Sequence, residues 1–312
     1  MWHFLSDRLR RRSRAVLLYV VESSGQTPGR AGFKMAVAAD GGLCGSIGGG
    51  RIEADLVERA RAMLRQRAPV IEILRRVHQP HHPESSGMIC GGEQTVVVMP
   101  CRKSDAATLR TLLARREAGR CGILTLSPNG LGYRAARAER PPHQFVRRGG
   151  VWSYAGFIAP METLFIVGGG HVGLALSRVM ATLGFRIVVL DERGGLGTLE
   201  QNESAHERRV VPFARIGAAV PSGARHYAVI MTPGHASDEL VLRQLVRKRL
   251  RYLGMLGSRR KVAEIFRRLR DDGVPQEMLD IVRAPVGLPI GSQTPAEIAV
   301  SIAAEIIRIR NG

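Results

Sequence analysis

Gly168, Gly170 and Gly173 follow the apolar run Leu164 to Val167 at the spacing G-x-G-x-x-G. At those positions a tight turn, the approach of a phosphate to the backbone, and close helix-sheet packing each exclude a side chain. His171 stands at the start of the helix that follows, whose free amides would face an anion. A second apolar run, Ile187 to Leu190, ends in Asp191, with Arg193 two residues on. An acid there can accept a hydrogen bond from a ribose hydroxyl. Strand, glycines, helix, strand and acid in this order predict a dinucleotide-type fold. The same glycines could also serve helix-sheet packing alone, because a fold does not prove a function.

Four further stretches carry chemistry. Ser258, Arg259, Arg260 and Lys261, in GSRRK, open a helix running to about Arg270 and combine helix-start amides with cations, a combination that suits a phosphate. Gly48, Gly49 and Gly50 precede a helical pattern formed by Ile52, Leu56, Ala60 and Met63. That turn is either a second anion site or a packing turn in which Glu53 favours the positive end of the helix. Cys90 precedes Gly91 and Gly92, whose amides would lie close to its sulfur and could stabilise a thiolate or a bound anion; the plain alternative is a small buried residue. The turn TPGHASD places His235 and Asp238 after an expected strand. With His171 these are the acid and base groups that an NAD(P)-dependent oxidoreductase using the same crevice would have, and they serve equally well to structure loops. His78, His81 and His82 lie among prolines and match no metal-ligand spacing.

These stretches need elements to hold them. Ala15 to Val21 reads as a strand, with the turn-rich SSGQTPGR after it, and Asp40-Gly41 marks a hairpin between Phe33 to Ala38 and Gly42 to Ser46. Further strands are expected at Ile71 to Val77, Thr95 to Met99, Gly122 to Leu126 and Val151 to Ile158, with a helix over Leu109 to Glu117. The segment from Ser127 to Gly150 specifies little. Beyond Pro160, strands and helices alternate as in a doubly wound parallel sheet, with strands at Val210 to Phe213, Tyr227 to Met231 and Tyr252 to Leu256 and a helix over Leu240 to Leu250. A T-P-x-E start at Thr294 opens a last helix to about Arg310, just after the loop PVGLPIGSQ. The fold class is α/β, with an α+β domain over residues 1–159 and a Rossmann-like doubly wound domain over 160–312.

With 45% apolar and 23% charged residues, the 312-residue chain has a globular composition. Its net charge of +19 comes from arginines scattered along helices among glutamates, and no nucleic-acid-binding signature accompanies them. No apolar run is long enough to cross a membrane, and the basic N-terminus lacks the apolar core of a secretory signal, so a cytoplasmic location is expected. Cys44, Cys90, Cys101 and Cys121 form no C-x-x-C pair, which argues against a structural zinc.

Five motifs together resemble the XdhC/CoxI family, the accessory proteins of xanthine dehydrogenases and related molybdenum hydroxylases: GSIGGGRIEAD from Gly45, MICGGEQTVVVMP from Met88, LFIVGGGHVG from Leu164, YLGMLGSRRK from Tyr252, and PVGLPIGSQTPAEIAVSIAAEI from Pro285. The resemblance implies a chaperone with little catalysis of its own. Such a protein holds the molybdenum cofactor, a molybdopterin with or without an attached nucleotide, while its terminal sulfur is installed, and delivers it to the apo-hydroxylase. A cysteine desulfurase and a second copy of the chain are the other implied partners. By this resemblance the fingerprint turn and GSRRK grip phosphate, Asp191 meets a sugar or pterin hydroxyl, and Cys90 contacts sulfur or molybdenum. Two positions depart from the family pattern: Arg51 stands where some relatives have cysteine, and Pro233 replaces one histidine of T-H-x-H, leaving His235.

Overall fold

A computed structural model describes residues 1–77, 92–136 and 143–312. The chain forms two compact units, Met1–Pro160 and Met161–Gly312.

The first unit runs α1 (Trp2–Arg10), β1 (Ala15–Gly25), β2 (Lys34–Ala38), β3 (Leu43–Ser46), α2 (Gly50–Arg65), β4 (Glu72–Val77), β5 (Gly92–Pro100), α3 (Asp105–Glu117), β6 (Gly122–Ser127), β7 (Gly130–Ala135), β8 (Gln144–Arg148) and β9 (Val151–Ile158). Five strands form one antiparallel sheet in the order β3-β2-β1-β5-β4, and the other four form a second in the order β7-β6-β9-β8. The unbroken apolar run of β1 has a simple cause. Leu17, Tyr19 and Val21 face a core shared with α3 and the second sheet, while Val16, Leu18 and Val20 face a core shared with α2, so both faces are buried. β1 continues to Gly25, further than the expected strand, because Glu22 to Gly25 pair with Gly92 to Thr95 of β5. The poorly specified stretch after Ser127 supplies β7 and β8, whose short, partly exposed strands carry little apolar pattern to read.

The second unit runs β10 (Thr163–Val167), α4 (His171–Thr182), β11 (Arg186–Asp191), α5 (Gly197–Glu200), β12 (Glu207–Val210), α6 (Ile216–Ala219), β13 (Gly223–Ile230), α7 (His235–Leu245), β14 (Leu250–Met255), α8 (Arg259–Asp271), α9 (Gln276–Asp280) and α10 (Pro295–Asn311). Its five strands are all parallel in the order β12-β11-β10-β13-β14. Leu176 and Met180 of α4 and Ile302 and Ile306 of α10 cover one face. Leu242 and Leu245 of α7 and Val262, Ile265 and Leu269 of α8 cover the other. Strand order reverses between β10 and β13, and a sheet of this kind opens its ligand crevice at that reversal, beyond the carboxyl ends of the strands. The expected strand over Val210 to Phe213 lies earlier, at β12, and Phe213 sits in a short 3-10 turn with its ring in the core. The expected helix to Leu250 ends at Leu245, and Leu250 begins β14. Among the described residues no helix is long and apolar enough to cross a membrane.

Candidate functional site

The turn after β10 is built from both of its neighbours. Gly168 has φ +119°, and a Cβ there would lie 2.2 Å from the Met231 carbonyl oxygen, at the end of β13. A Cβ on Gly173 would lie 2.3 Å from the Gly168 carbonyl oxygen. The fold itself therefore excludes side chains at Gly168 and Gly173. Gly170 differs, because a Cβ there would meet no atom of the described residues within 4 Å. It is the N-cap of α4 and no side chain caps that helix, so open space and uncapped amides coincide at the phosphate position of the fingerprint. His171 and His235 are exposed first residues of α4 and α7.

Asp191 is fully buried at the end of β11. Its Oδ1 accepts from the Arg193 amide and Nε at 2.9 Å each, and its Oδ2 accepts from the Gly169 amide at 2.8 Å and Arg193 Nη2 at 2.7 Å. Burial alone would raise this carboxyl, but the Arg193 guanidinium and the two amides carry it below the usual carboxylate range. A ligand hydroxyl expected at Asp191 therefore competes with Arg193 for this carboxylate.

The GSRRK residues divide. Ser258 caps α8 by accepting from the Lys261 amide at 3.3 Å, and the Lys261 ammonium pairs with the buried carboxylate of Asp238. Asp238 also accepts from the Thr232 amide at 2.9 Å and hydroxyl at 2.6 Å. Ser258 and Lys261, both expected at a phosphate, thus make contacts within the fold. Arg259 and Arg260, on the first turn of α8, are exposed. The loop before α10 is also pinned: Gly287 donates to Glu305 at 2.9 Å, Tyr252 donates to the same carboxylate at 2.6 Å, and Ser301 donates to the Leu288 carbonyl at 2.6 Å. The predicted capping box at Thr294 and Glu297 is present.

In the first unit three distant motifs meet. A Cβ on Gly48 would lie 2.5 Å from the Gly29 amide nitrogen, one on Gly29 would lie 2.0 Å from the Ile47 carbonyl oxygen and 2.6 Å from Gln94 Oε1, and one on Gly92 would lie 2.7 Å from the Thr27 side chain. The side chain of Gln94 is buried and its Oε1 has no hydrogen-bond partner among the described residues. Gly29 and Gln94 carried no signal in the sequence, since a close approach of backbones shows only once the strands are paired. At the Gly48, Gly49, Gly50 turn the contacts of Glu53 match the packing-turn reading. Glu53 Oε2 folds back to accept from the Ser46 hydroxyl at 2.7 Å, the Ile47 amide at 2.8 Å and the Gly49 amide at 3.0 Å. Partial burial opposes its ionisation, but these donors hold its carboxyl below the usual range. A carboxylate already occupies the positive end of α2, where it repels a second anion. Cys90, Gly91 and the three histidines His78, His81 and His82 lie outside the described residues. Among the described residues no group of three or more His, Cys, Asp or Glu could hold a metal ion.

Two family models match the chain: the XdhC Rossmann domain over residues 164–306 and the XdhC and CoxI family over residues 8–76. The chain belongs to the XdhC and CoxI family. The XdhC Rossmann match spans the fingerprint turn, Asp191, the GSRRK helix and most of α10, and the XdhC and CoxI match spans the Gly48 turn and α2. The chain is 28% identical over 299 residues to the uncharacterized protein YqeB of Escherichia coli, covering 94% of this chain and 43% of that protein. It is 29% identical over 153 residues to a Bacillus subtilis protein described as a probable xanthine dehydrogenase subunit, covering 49% of this chain and 44% of that one. The chain thus spans less than half the length of these curated relatives. Its fold is similar to a crystal structure described as a xanthine dehydrogenase from Bacillus halodurans, with a TM-score of 0.75 and 24% identity over 99% of this chain and 95% of that one.

Proposed function

We propose that this XdhC-family chain is a maturation factor for a xanthine dehydrogenase-type hydroxylase, carrying the molybdenum cofactor as cargo. The cofactor is held during terminal sulfuration and then released to the apo-hydroxylase. A cysteine desulfurase supplies the sulfur, and the carrier works as a homodimer. The observation that carries this reading is the open wall at Gly170, which the protein's own packing leaves free beside the uncapped amides of α4. That space suits a phosphate. Arg259 and Arg260 add exposed cations on the first turn of α8. The chain's part is to bind, orient and let go, so no acid-base pair is required of it.

The test is purification from cells that make the cofactor, with assays of bound pterin and molybdenum. Near-stoichiometric pterin is expected, and Arg259→Ala with Arg260→Ala should weaken its retention by about tenfold, the loss of roughly one charge-assisted contact. Absence of pterin even after addition of free cofactor, together with normal maturation of the hydroxylase in cells lacking this chain, would end the proposal. On the sequence motif, Cys90 is the thiol assigned to the sulfur or molybdenum. Cys90→Ser should then lower hydroxylase activation while leaving pterin retention in place.

A further inference from the structure

The two halves of the Rossmann crevice are not equally accessible. The phosphate half is open at Gly170 and at the uncapped start of α4. The half that receives a ribose in a dinucleotide site is closed. A carboxylate offers roughly four lone-pair positions, and all four on Asp191 are filled, two by the Arg193 side chain, one by the Arg193 amide and one by the Gly169 amide, at 2.7 to 2.9 Å. The Gly169 peptide is fixed from its other end as well, because its carbonyl accepts from the Thr198 hydroxyl at 2.6 Å. Asp191 is fully buried, whereas the Arg193 side chain keeps 41% of its surface exposed. The carboxylate thus has no surface open to solvent, and the arginine paired with it does.

A ribose hydroxyl can reach Asp191 only by displacing one arm of a paired guanidinium. It would exchange a charge-assisted bond for a weaker one from a neutral donor, and the released guanidinium would leave a buried carboxylate short of its partner. A phosphate at Gly170 meets no such obstacle.

We infer that Arg193 is a specificity-determining residue that locks Asp191, so that the crevice accepts phosphate-terminated ligands lacking a ribose at that position and discriminates against nucleotides and dinucleotides. This rests on the reading that a phosphate binds at the start of α4. For the cargo, it selects the monophosphate form of the metallopterin over a dinucleotide form. It also sets the chain apart from a nicotinamide-dinucleotide oxidoreductase, which needs the acid at the end of the second strand to be free.

The test is calorimetric titration of the full chain with pyrophosphate, ADP and 2′-deoxy-ADP, so that the ratio of the two nucleotide affinities isolates the ribose hydroxyl. Wild type is expected to bind pyrophosphate and to bind the two nucleotides within about twofold of each other. Arg193→Ala should favour ADP over its deoxy form by about tenfold, the value of one hydroxyl-carboxylate bond, and Asp191→Asn in that background should abolish the preference. Arg193→Gln serves the same purpose if the alanine variant does not fold. A tenfold preference for ADP already present in wild type and lost in Asp191→Asn would overturn the inference, and so would a ratio unchanged by both replacements of Arg193. Those outcomes leave phosphate binding intact. Failure of every variant to bind pyrophosphate or either nucleotide would instead remove the phosphate reading beneath the inference, and the inference with it.

Discussion

The ammonium of Lys261, on the first turn of α8, is held by the buried carboxylate of Asp238 on the first turn of α7. Since Asp238 also takes both donors of Thr232, this one side chain joins the turn after β13 to the helix that presents Arg259 and Arg260. The pair gives a lysine within a phosphate-like motif a partner inside the fold. Its charge is already neutralised inside the protein.

Removing the cation leaves Asp238 as an uncompensated buried charge. Lys261→Met should cost about 2 to 3 kcal/mol, somewhat below the usual loss for a broken buried pair because the lysine is partly exposed. Urea denaturation measures this, and adding Asp238→Asn should recover part of the loss through a double-mutant cycle. Pyrophosphate affinity of the folded Lys261→Met variant should stay within about threefold of wild type. A larger drop would make Lys261 a direct ligand after all.

The fingerprint glycines should separate into two classes. Gly168→Ala places a Cβ 2.2 Å from the Met231 carbonyl oxygen at φ +119°, so it should destabilise the chain by about 3 kcal/mol or more, seen as a fall in melting temperature. Gly170→Ala meets no atom of the described residues within 4 Å at an ordinary φ of −69°. It should melt within a degree or two of wild type and yet lose pyrophosphate binding by at least about tenfold, because the methyl group enters the space meant for the anion. Equal melting losses at the two positions would remove the distinction.

Lys34 gives a pH signature in the first unit. Burial, helped by the charge of Arg116, lowers its pKa to about 8, while its ammonium lies 5.7 Å from the ring centroids of Trp2 and Tyr19 and donates to the Gly32 carbonyl at 2.9 Å. The unfolded chain keeps this lysine protonated to about pH 10.4. Between pH 8 and about 10 the unfolded state thus binds the extra proton, and this group's contribution to stability rises with pH. The full shift corresponds to roughly 3 kcal/mol. Lys34→Met should therefore raise stability at pH 7 and flatten the profile between pH 8 and about 10 in denaturation series. Above that window Tyr19 and Tyr154, both held protonated by burial, act in the opposite direction.

The sequence by itself determined the parallel α/β unit, the glycine turn at its reversal point and the capping box at Thr294, because each is a local pattern: an apolar run of strand length, a forced turn, a reciprocal cap four residues wide. It also carried the family resemblance, which depends on motifs read in order along the chain. What it left open was how each polar group spends its hydrogen bonds. Asp191 and Lys261 stand where ligand contacts are expected, Glu53 stands behind a glycine turn, and each is engaged by a neighbour in the fold: Arg193, Asp238, and the Ser46 to Gly49 turn. Nor could spacing along the chain reveal that Gly29 meets Gly48 and Gln94 while Gly92 meets Thr27, since β1 and β5 must pair before their flanking turns can touch. Periodicity and turn chemistry act over a few residues and are written locally, whereas competition for a donor or a lone pair is settled among groups that only the folded chain brings within about 3 Å.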